Sequence, residues 1–149
     1  MQVQKVMNPR VVSIEEDCPV TLACRLLSRH NVGALPVCGE EGDLRGIVTD
    51  RDIVLRCIAP EEDPSQTTVG DIMTRRPATV APEEDCAAAL RRMARSQVRR
   101  LPVVSHGRLV GMVTLGDLVR RQSWEMEAAK ALAEISENVI QGSKSFPQM

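Results

Sequence analysis

The chain has 149 residues, of which 43% are hydrophobic and 26% charged, the balance of an ordinary globular protein of one domain or two small ones. Its formal net charge of -1 gives it no overall electrostatic attraction to nucleic acid or to an anionic membrane surface. Aromatic residues make up only 1%, which argues against a protein that stacks single-stranded bases on aromatic rings.

The N-terminus and the cysteines favour a soluble, cytoplasmic protein with no membrane association. The first seven residues lack the apolar run of a signal peptide, and no stretch reaches the roughly 18 apolar residues of a membrane span. The five cysteines are an odd number without a C-x-x-C pair, so we expect them to be reduced and mostly buried. The only histidines, His30 and His106, stand at unlike positions in the chain, and we therefore expect no metal site.

Internal repetition is the strongest signal in the sequence. Residues 6–54 and 72–119 carry the same strings in the same order, an apolar residue followed by Met, then L-P-V, then G-[IM]-V-T-x-x-D. Met7 aligns with Met73, and Pro36 aligns with Pro102 at the same spacing. Because a unit of about 60 residues buries little apolar surface alone, we predict two half-modules that pack against each other.

The first copy shows the pattern strand, helix, strand, strand, helix. After a short β-branched segment, Pro19 suits a helix start, and Val20, Cys24 and Leu27 then fall on one apolar helical face. The predicted elements are a strand at residues 11–14, a helix from Pro19, strands at residues 35–38 and 44–49 around a turn at 40–43, and a helix over residues 50–58.

The second copy repeats this order after a polar loop and a helical turn at residues 69–73. Asp85 is expected to cap the helix that carries Leu90 and Met93. The predicted elements are a strand at residues 79–80, that helix, hairpin strands at residues 101–104 and 109–114, and a helix from Leu115.

The C-terminal segment departs from the repeat. Residues 124–140, which begin with Trp124, contain neither Gly nor Pro, and Ala128, Leu132, Ile135 and Val139 form one apolar stripe. Packing on the chain's own module and packing on a second subunit both remain open. The predicted organisation is a repeat at residues 1–60, a linker at 61–68, a repeat at 69–122, an amphipathic helix at 123–141 and a flexible tail at 142–149.

The repeated T-x-x-D string supports two interpretations. Thr49 and Thr114 fall where a strand ends and a helix begins, with Asp52 and Asp117 at the third helical position. A capping box would stabilise each helix by about 1–2 kcal/mol. The same geometry offers amides and a hydroxyl to an anion, and a carboxylate to a ribose diol. Recurrence at two equivalent places favours a binding site.

Taken together, these motifs resemble a tandem pair of CBS domains, also called a Bateman module. The resemblance rests on the V-M or I-M start, L-P-V and G-[IM]-V-T-x-x-D, and it spans residues 3–121. It implies an α/β (α+β) fold in which two β-α-β-β-α repeats, related by a pseudo-two-fold axis, enclose two clefts, here with an added C-terminal helix. Such modules commonly pair into homodimers.

The resemblance also implies a ligand, since the family's clefts often hold AMP, ADP, ATP or another adenosyl compound. Asp52 and Asp117 would then take the ribose hydroxyls, and Thr49 and Thr114 would face ribose or phosphate. The family's adenine contacts fall on backbone and small apolar side chains, here Val12, Val32, Ala78 and Val98.

The two copies differ in charge next to L-P-V. Arg99 and Arg100 stand where the first copy has Gly33 and a small neighbour, and basic residues at this place hold phosphate in kinase-regulating relatives. Arg51 is a further phosphate candidate. The alternative is that both arginines are solvated or pair with Glu83 or Glu84.

These features favour a regulatory sensor of adenine nucleotides that acts through a separate, unknown effector protein. The alternative is a structural or stress-response CBS pair without a tight ligand. We expect no enzyme, because the sequence offers no nucleophile with its base and no Gly-rich phosphate loop. The basic run at residues 91–100 is expected to be a solvated face rather than a nucleic-acid surface.

Overall fold

The protein was analysed as a computed structural model that describes residues 1–120 and 125–144. The chain forms two compact units, which combine segments of both sequence repeats. Unit 1 contains Met1–Pro9, Ala78–Val103 and the chain from Val110 onward, and unit 2 contains Arg10–Pro77 and Val104–Leu109. The first residues of each sequence repeat therefore fold with the body of the other repeat.

Unit 2 is built on an antiparallel sheet of three strands in the order β1-β2-β3, with β1 paired to β2 and β2 to β3. Its helix α2 continues into a π-helical turn at Val54–Ile58. The elements in chain order are α1 (Val20–His30), β1 (Ala34–Cys38), β2 (Leu44–Thr49), α2 (Asp50–Ile53), α3 (Val69–Ile72) and β3 (Thr74–Arg75).

Unit 1 begins with a 3-10 turn at Val3–Lys5 and is centred on a two-stranded hairpin. His106 and Gly107 form the hairpin turn with φ of 52° and 78°, the positive values that a tight two-residue turn requires. The tip of this hairpin, Val104–Leu109, belongs to unit 2. The elements in chain order are α4 (Cys86–Ser96), β4 (Arg100–Ser105), β5 (Arg108–Thr114), α5 (Leu115–Val119) and α6 (Glu125–Lys144).

The mixed α+β fold predicted from the repeat is confirmed, although the first strand of each copy is reduced to one bridge. Ile14 forms a parallel bridge with Val37, and Val80 forms the equivalent bridge with Val103. The Ile14 and Val80 amides each donate to a proline carbonyl at 3.0 Å, and the Cys38 amide also donates to the Ile14 carbonyl at 2.9 Å. Pairing that ends after one residue leaves no regular strand.

On helix α1, one predicted core position is wrong. Val20 and Leu27 are buried as expected, but Ala23 completes the buried face and Cys24 is exposed. Spacings of three and four are both compatible with a helical face, and here packing selects the residue at the shorter spacing. Cys38, Cys57 and Cys86 are buried, which agrees with the prediction that most cysteines serve as small apolar residues.

The repeated methionines explain the repeated glycines. In unit 2, a Cβ built on Gly46 would lie 2.8 Å from Met73 Sδ and 2.6 Å from the Thr74 carbonyl oxygen. In unit 1, a Cβ on Gly111 would lie 2.8 Å from Met7 Sδ. Each glycine thus allows the leading segment of a sequence repeat, meaning its first residues with Met73 or Met7, to approach the central strand β2 or β5 closely.

Helix α6 packs against α4 and α5 of its own unit, as the first of the two alternatives left by the sequence requires. Ala128 and Ile135 are buried as predicted, but Ala131 is the third buried residue and Leu132 is 41% exposed. The helix extends to Lys144, past the predicted end at residue 141, so the first three residues of the predicted tail at 142–149 are helical. Trp124 and the side chain of Val139 lie outside the described part of the chain.

Within residues 1–120 and 125–144, no helix combines the length and the apolar character needed to cross a bilayer.

We predict that Gly46→Ala lowers the free energy of unfolding by about 1–3 kcal/mol, because the new methyl group would overlap backbone that cannot move aside freely. The matched control is Gly116→Ala, where the nearest heavy atom to a Cβ is Thr114 Oγ1 at 3.7 Å. Since Gly116 lies within α5, alanine there should stabilise by about 0.5–1 kcal/mol. Urea unfolding of both variants measures the difference, and equal midpoints would contradict the close approach.

Candidate functional site

Both predicted Thr-Asp pairs form complete capping boxes. In unit 2, Thr49 Oγ1 accepts from the Asp52 amide at 3.0 Å, and Asp52 Oδ2 accepts from the Thr49 amide at 3.0 Å. In unit 1, the corresponding bonds of Thr114 and Asp117 are 3.1 and 2.9 Å. The capping interpretation is therefore correct, and any ligand must use the hydrogen-bonding capacity that capping leaves over.

The motif alone does not distinguish a binding position from a cap. Thr68 and Asp71 form the same box at the start of α3, which no sequence argument placed in a site. Burial separates them, because Asp52 is buried whereas Asp71 is exposed. Backbone and hydroxyl hydrogen bonds from Thr68 also lower the pKa of Asp71.

In each Thr-Asp pair, capping leaves the threonine hydroxyl proton and part of the aspartate carboxylate available for other hydrogen-bond partners. The threonine oxygen accepts a backbone hydrogen bond, so its own hydrogen remains available as a donor. The outer oxygen of each aspartate faces an arginine one helical turn later. Asp52 Oδ1 lies 3.6 Å from Arg56 Nη1, and Asp117 Oδ1 contacts Arg120 Nη2. The arginines follow at i+4 and i+3, a spacing that is visible in the sequence and could have predicted these contacts.

One backbone hydrogen bond in each unit ties the start of the helix to the residue before the L-P-V strand. The Asp50 amide donates to the Gly33 carbonyl at 3.0 Å, and the Leu115 amide donates to the Arg99 carbonyl at 2.8 Å. Gly33 and Arg99 are therefore held beside the capping threonine of their own unit. These bonds also use the Asp50 and Leu115 amides, although the sequence predicted that amides at these helix starts would be available to bind an anion.

In unit 1 an open surface pocket of about 350 Å³ lies beside this junction. Three predicted site residues line it, namely Arg99, Arg100 and Thr114. Four lining residues were not predicted, and these are Leu115, Gly116, Val119 and Leu132. The first three of those follow Thr114 along α5, so the helical period could have identified them, whereas Leu132 comes from α6 and gave no such signal.

The remaining predicted contacts lie elsewhere in their units. Val12 packs on the core of unit 2, and Ala78 and Val98 pack on the core of unit 1, each only partly buried. Val32 and Arg51 are exposed on unit 2. None of the residues expected to contact adenine lines the described pocket of unit 1.

Of the two alternative partners for the pocket arginines, Glu84 is already occupied. Glu84 binds Arg92 through two hydrogen bonds of 2.8 and 2.9 Å and accepts from the Ala81 amide at 2.7 Å. The Arg92 guanidinium holds the pKa of Glu84 below its ordinary value, and Glu84 in turn raises the pKa of Arg92. Within the described residues, no ion pair involves Arg99 or Arg100.

The basic run of the sequence is therefore divided among three environments. Arg92 is paired with Glu84, and Arg99 and Arg100 line the pocket. Arg91 and Arg95 face a separate groove of about 480 Å³ between α4 and α6. A continuous basic face of the kind that tracks a nucleic-acid backbone does not result from this division.

Acidic, thiol and imidazole side chains do not converge anywhere in the described chain, where no group of three or more could hold a metal ion.

Comparison with known proteins identifies the family. The CBS domain family model matches residues 3–58 and 69–123, which are the two sequence repeats. The chain belongs to the CBS domain family. The CBS domain-containing protein YhcV of Bacillus subtilis is 39% identical over 138 residues, which cover 93% of this chain and 97% of YhcV.

Solved structures of CBS pairs share the fold. The crystal structure of Hypoxic Response Protein I with two coordinated zinc ions has a TM-score of 0.76 and 36% identity, covering 81% of this chain and 98% of that one. The CBS domain pair of MJ0100, in complex with 5'-methylthioadenosine and S-adenosyl-L-methionine, has a TM-score of 0.72 and 28% identity, covering 80% and 94%.

We predict that Glu84→Gln removes an acid-sensitive part of the stability. Because the folded-state pKa of Glu84 is depressed, its contribution is present above the unfolded value of about 4.3 and is lost as the pH falls through the folded value. The variant should unfold at lower urea than the parent at pH 7, and the two midpoints should approach each other as the pH falls below the unfolded value of about 4.3. Glu83→Gln, at an exposed neighbour, is the control and should leave the pH profile unchanged.

Proposed function

We propose that this CBS protein binds an adenine nucleotide in the unit 1 pocket and acts as a regulatory module on a separate protein. The observation that carries the proposal is the pocket of about 350 Å³ where Arg99 and Arg100 stand beside Thr114 without a carboxylate partner among the described residues. Its volume lies within the range of small-molecule sites. The adenosyl compounds bound by the CBS pair of MJ0100 support an adenosine moiety as the recognised group.

The two arginines select for phosphate on that adenosine. A guanidinium donates paired N–H groups that match phosphate oxygens, and an arginine without a carboxylate partner keeps those donors available. The Thr114 hydroxyl adds one donor, because its oxygen is already used by the Asp117 amide. The proposed ligand is therefore AMP, ADP or ATP rather than a neutral nucleoside.

Ribose and base recognition would use aliphatic and carboxylate groups. Asp117 does not itself line the pocket, but it follows the lining residue Gly116, and its Oδ1 could accept a ribose hydroxyl if Arg120 shares it or moves aside. Leu115 and Val119 offer apolar walls to a purine, in a chain with only one tryptophan and one phenylalanine. Binding against such walls depends on area rather than stacking, so we expect moderate affinity.

Unit 2 has a related but less basic candidate site. Thr49 and Asp52 repeat the capping geometry, while Gly33 occupies the place of Arg99. Arg51 is exposed and offers one cation at the start of α2. We propose that this site binds adenosine compounds with less preference for phosphate than the unit 1 pocket.

We predict that AMP binds at least tenfold more tightly than adenosine, and that Arg100→Ala removes most of this difference. Hydrogen bonds between charged groups contribute about 1.5–3 kcal/mol, which corresponds to roughly 10- to 100-fold in affinity. Isothermal titration of AMP and of adenosine into the parent and the variant measures the affinity difference. Arg95→Ala is the matched control, since Arg95 belongs to the same basic run but faces the other groove.

Equal binding of AMP and adenosine, or equal loss in the two arginine variants, would contradict phosphate recognition by the pocket. If AMP, ADP, ATP and S-adenosylmethionine all leave the unfolding temperature unchanged, the alternative of a structural or stress-response CBS pair takes precedence, because a ligand of the folded state must stabilise it.

We propose a second copy of the chain as one partner. Val54, Leu55 and Ile58 are 54%, 51% and 52% exposed and lie together on the π-helical turn of unit 2. Large apolar side chains exposed as a group are typical of protein interfaces. Burying them against the same patch of another copy would form a symmetric dimer.

We predict that Leu55→Glu shifts the chain from dimer to monomer, because it places like charges opposite each other in a symmetric contact. Light scattering coupled to size exclusion measures the mass. Ala129→Glu, an exposed position on α6, is the control and should leave the mass unchanged. A wild-type chain that is already monomeric at high concentration would overturn this assignment.

A further inference from the structure

Helix α6 supplies a wall of the unit 1 pocket although it lies outside both CBS repeats. The family match ends at residue 123, and α6 begins at Glu125. Leu132 nevertheless lines the same pocket as Arg99, Arg100 and Thr114. The nucleotide site of this chain therefore includes a residue that the two repeats do not contain.

The anchoring of α6 leaves Leu132 available for contact with a ligand. Ala128, Ala131 and Ile135 are almost completely buried, and Ala128 and Ala131 pack in the hydrophobic core of unit 1, which holds the helix against its unit. Leu132 is 41% exposed at the edge of this contact, and Val119 of α5, which lines the same pocket, is 43% exposed. The apolar surface of these two large aliphatic side chains would be removed from water only when a ligand occupies the pocket.

We propose that Leu132 is a ligand-contacting residue of the nucleotide pocket, and that occupation of the pocket and docking of α6 stabilise each other. This inference rests on the proposed function of the pocket. We expect the ligand to favour docking of α6 rather than oppose it, because a pocket of about 350 Å³ remains open with α6 in its docked position. A nucleotide can therefore bind without displacing the helix, and its apolar contact with Leu132 is made only while the helix is docked.

Through this coupling, nucleotide binding in the pocket would change the stability of α6 docking. By linkage, a ligand that binds more tightly when α6 is docked must favour docking by the same factor. An AMP-dependent change in α6 would alter the surface that this helix presents to an effector protein. Unit 2 has no equivalent helix in its sequence repeat, so the property belongs to unit 1 alone.

The first experiment measures AMP affinity by isothermal titration in the full chain. Leu132→Ala should weaken AMP binding about fivefold through lost apolar contact. Leu132→Glu should weaken it more, because it also places a negative charge next to the phosphate. Ala133→Glu adds the same charge to an exposed position on the same helix outside the pocket lining, and it should bind AMP as the parent does.

A double-mutant cycle tests whether Leu132 and Arg100 contact the same ligand. The effect of Leu132→Glu on AMP binding should shrink when Arg100 is already alanine, because the phosphate is then held less firmly beside it. Hydrogen exchange provides an independent readout. AMP should slow exchange of α6 amides in the parent and in Ala133→Glu, and the slowing should be reduced at least twofold in Leu132→Ala.

The outcomes separate the two proposals. If the parent binds AMP and Arg100→Ala weakens it, while Leu132→Ala and Leu132→Glu bind like Ala133→Glu, then the nucleotide site stands and the role of α6 is wrong. If AMP binding instead speeds exchange in α6, the helix is displaced by the ligand and the proposed sign is overturned. If the parent binds no AMP, the proposed function fails and this inference fails with it.

Discussion

The candidate sites depend on one local interaction, the reciprocal capping of Thr and Asp where a central strand passes into a short helix. Each box fixes the strand-to-helix junction through two hydrogen bonds, and the first helical amide then binds the carbonyl of Gly33 or Arg99. These helices are too short to persist by propensity, so the cap and the tertiary packing define their position. Without this junction, the arginines and the Thr114 hydroxyl would not line one pocket.

A second constraint is the close approach of the leading segments to the central strands. Met7 and Met73 occupy space that only Gly111 and Gly46 leave open. Because each leading segment folds with the body of the other sequence repeat, cutting the chain at the repeat boundary would separate a core residue from its unit. The repetition in the sequence and the compact units in space are therefore different divisions of the same chain.

Capping does not exhaust the hydrogen-bonding capacity of the Thr-Asp pairs at the candidate site. Capping uses the Asp Oδ2 atom and the threonine oxygen, and it leaves the hydroxyl proton and Oδ1 for other partners. In unit 1, those partners are Arg120 on one side and the open pocket on the other. The pairing of Glu84 with Arg92 also matters, since it engages one of the two carboxylates that the sequence offered as partners of Arg99 and Arg100.

The sequence by itself determined the repeat, the α+β order, the capping threonines and aspartates, and the excess of arginine in the second copy, because each of these is carried by local spacing. Only the tertiary structure decided that Ala23 replaces Cys24 in the core, that Arg92 takes Glu84, and that Leu132 faces the pocket. Each of these depends on which of several neighbouring side chains contacts a distant part of the chain. Helical periodicity predicts the face of a helix, but it does not decide between residues that are one position apart.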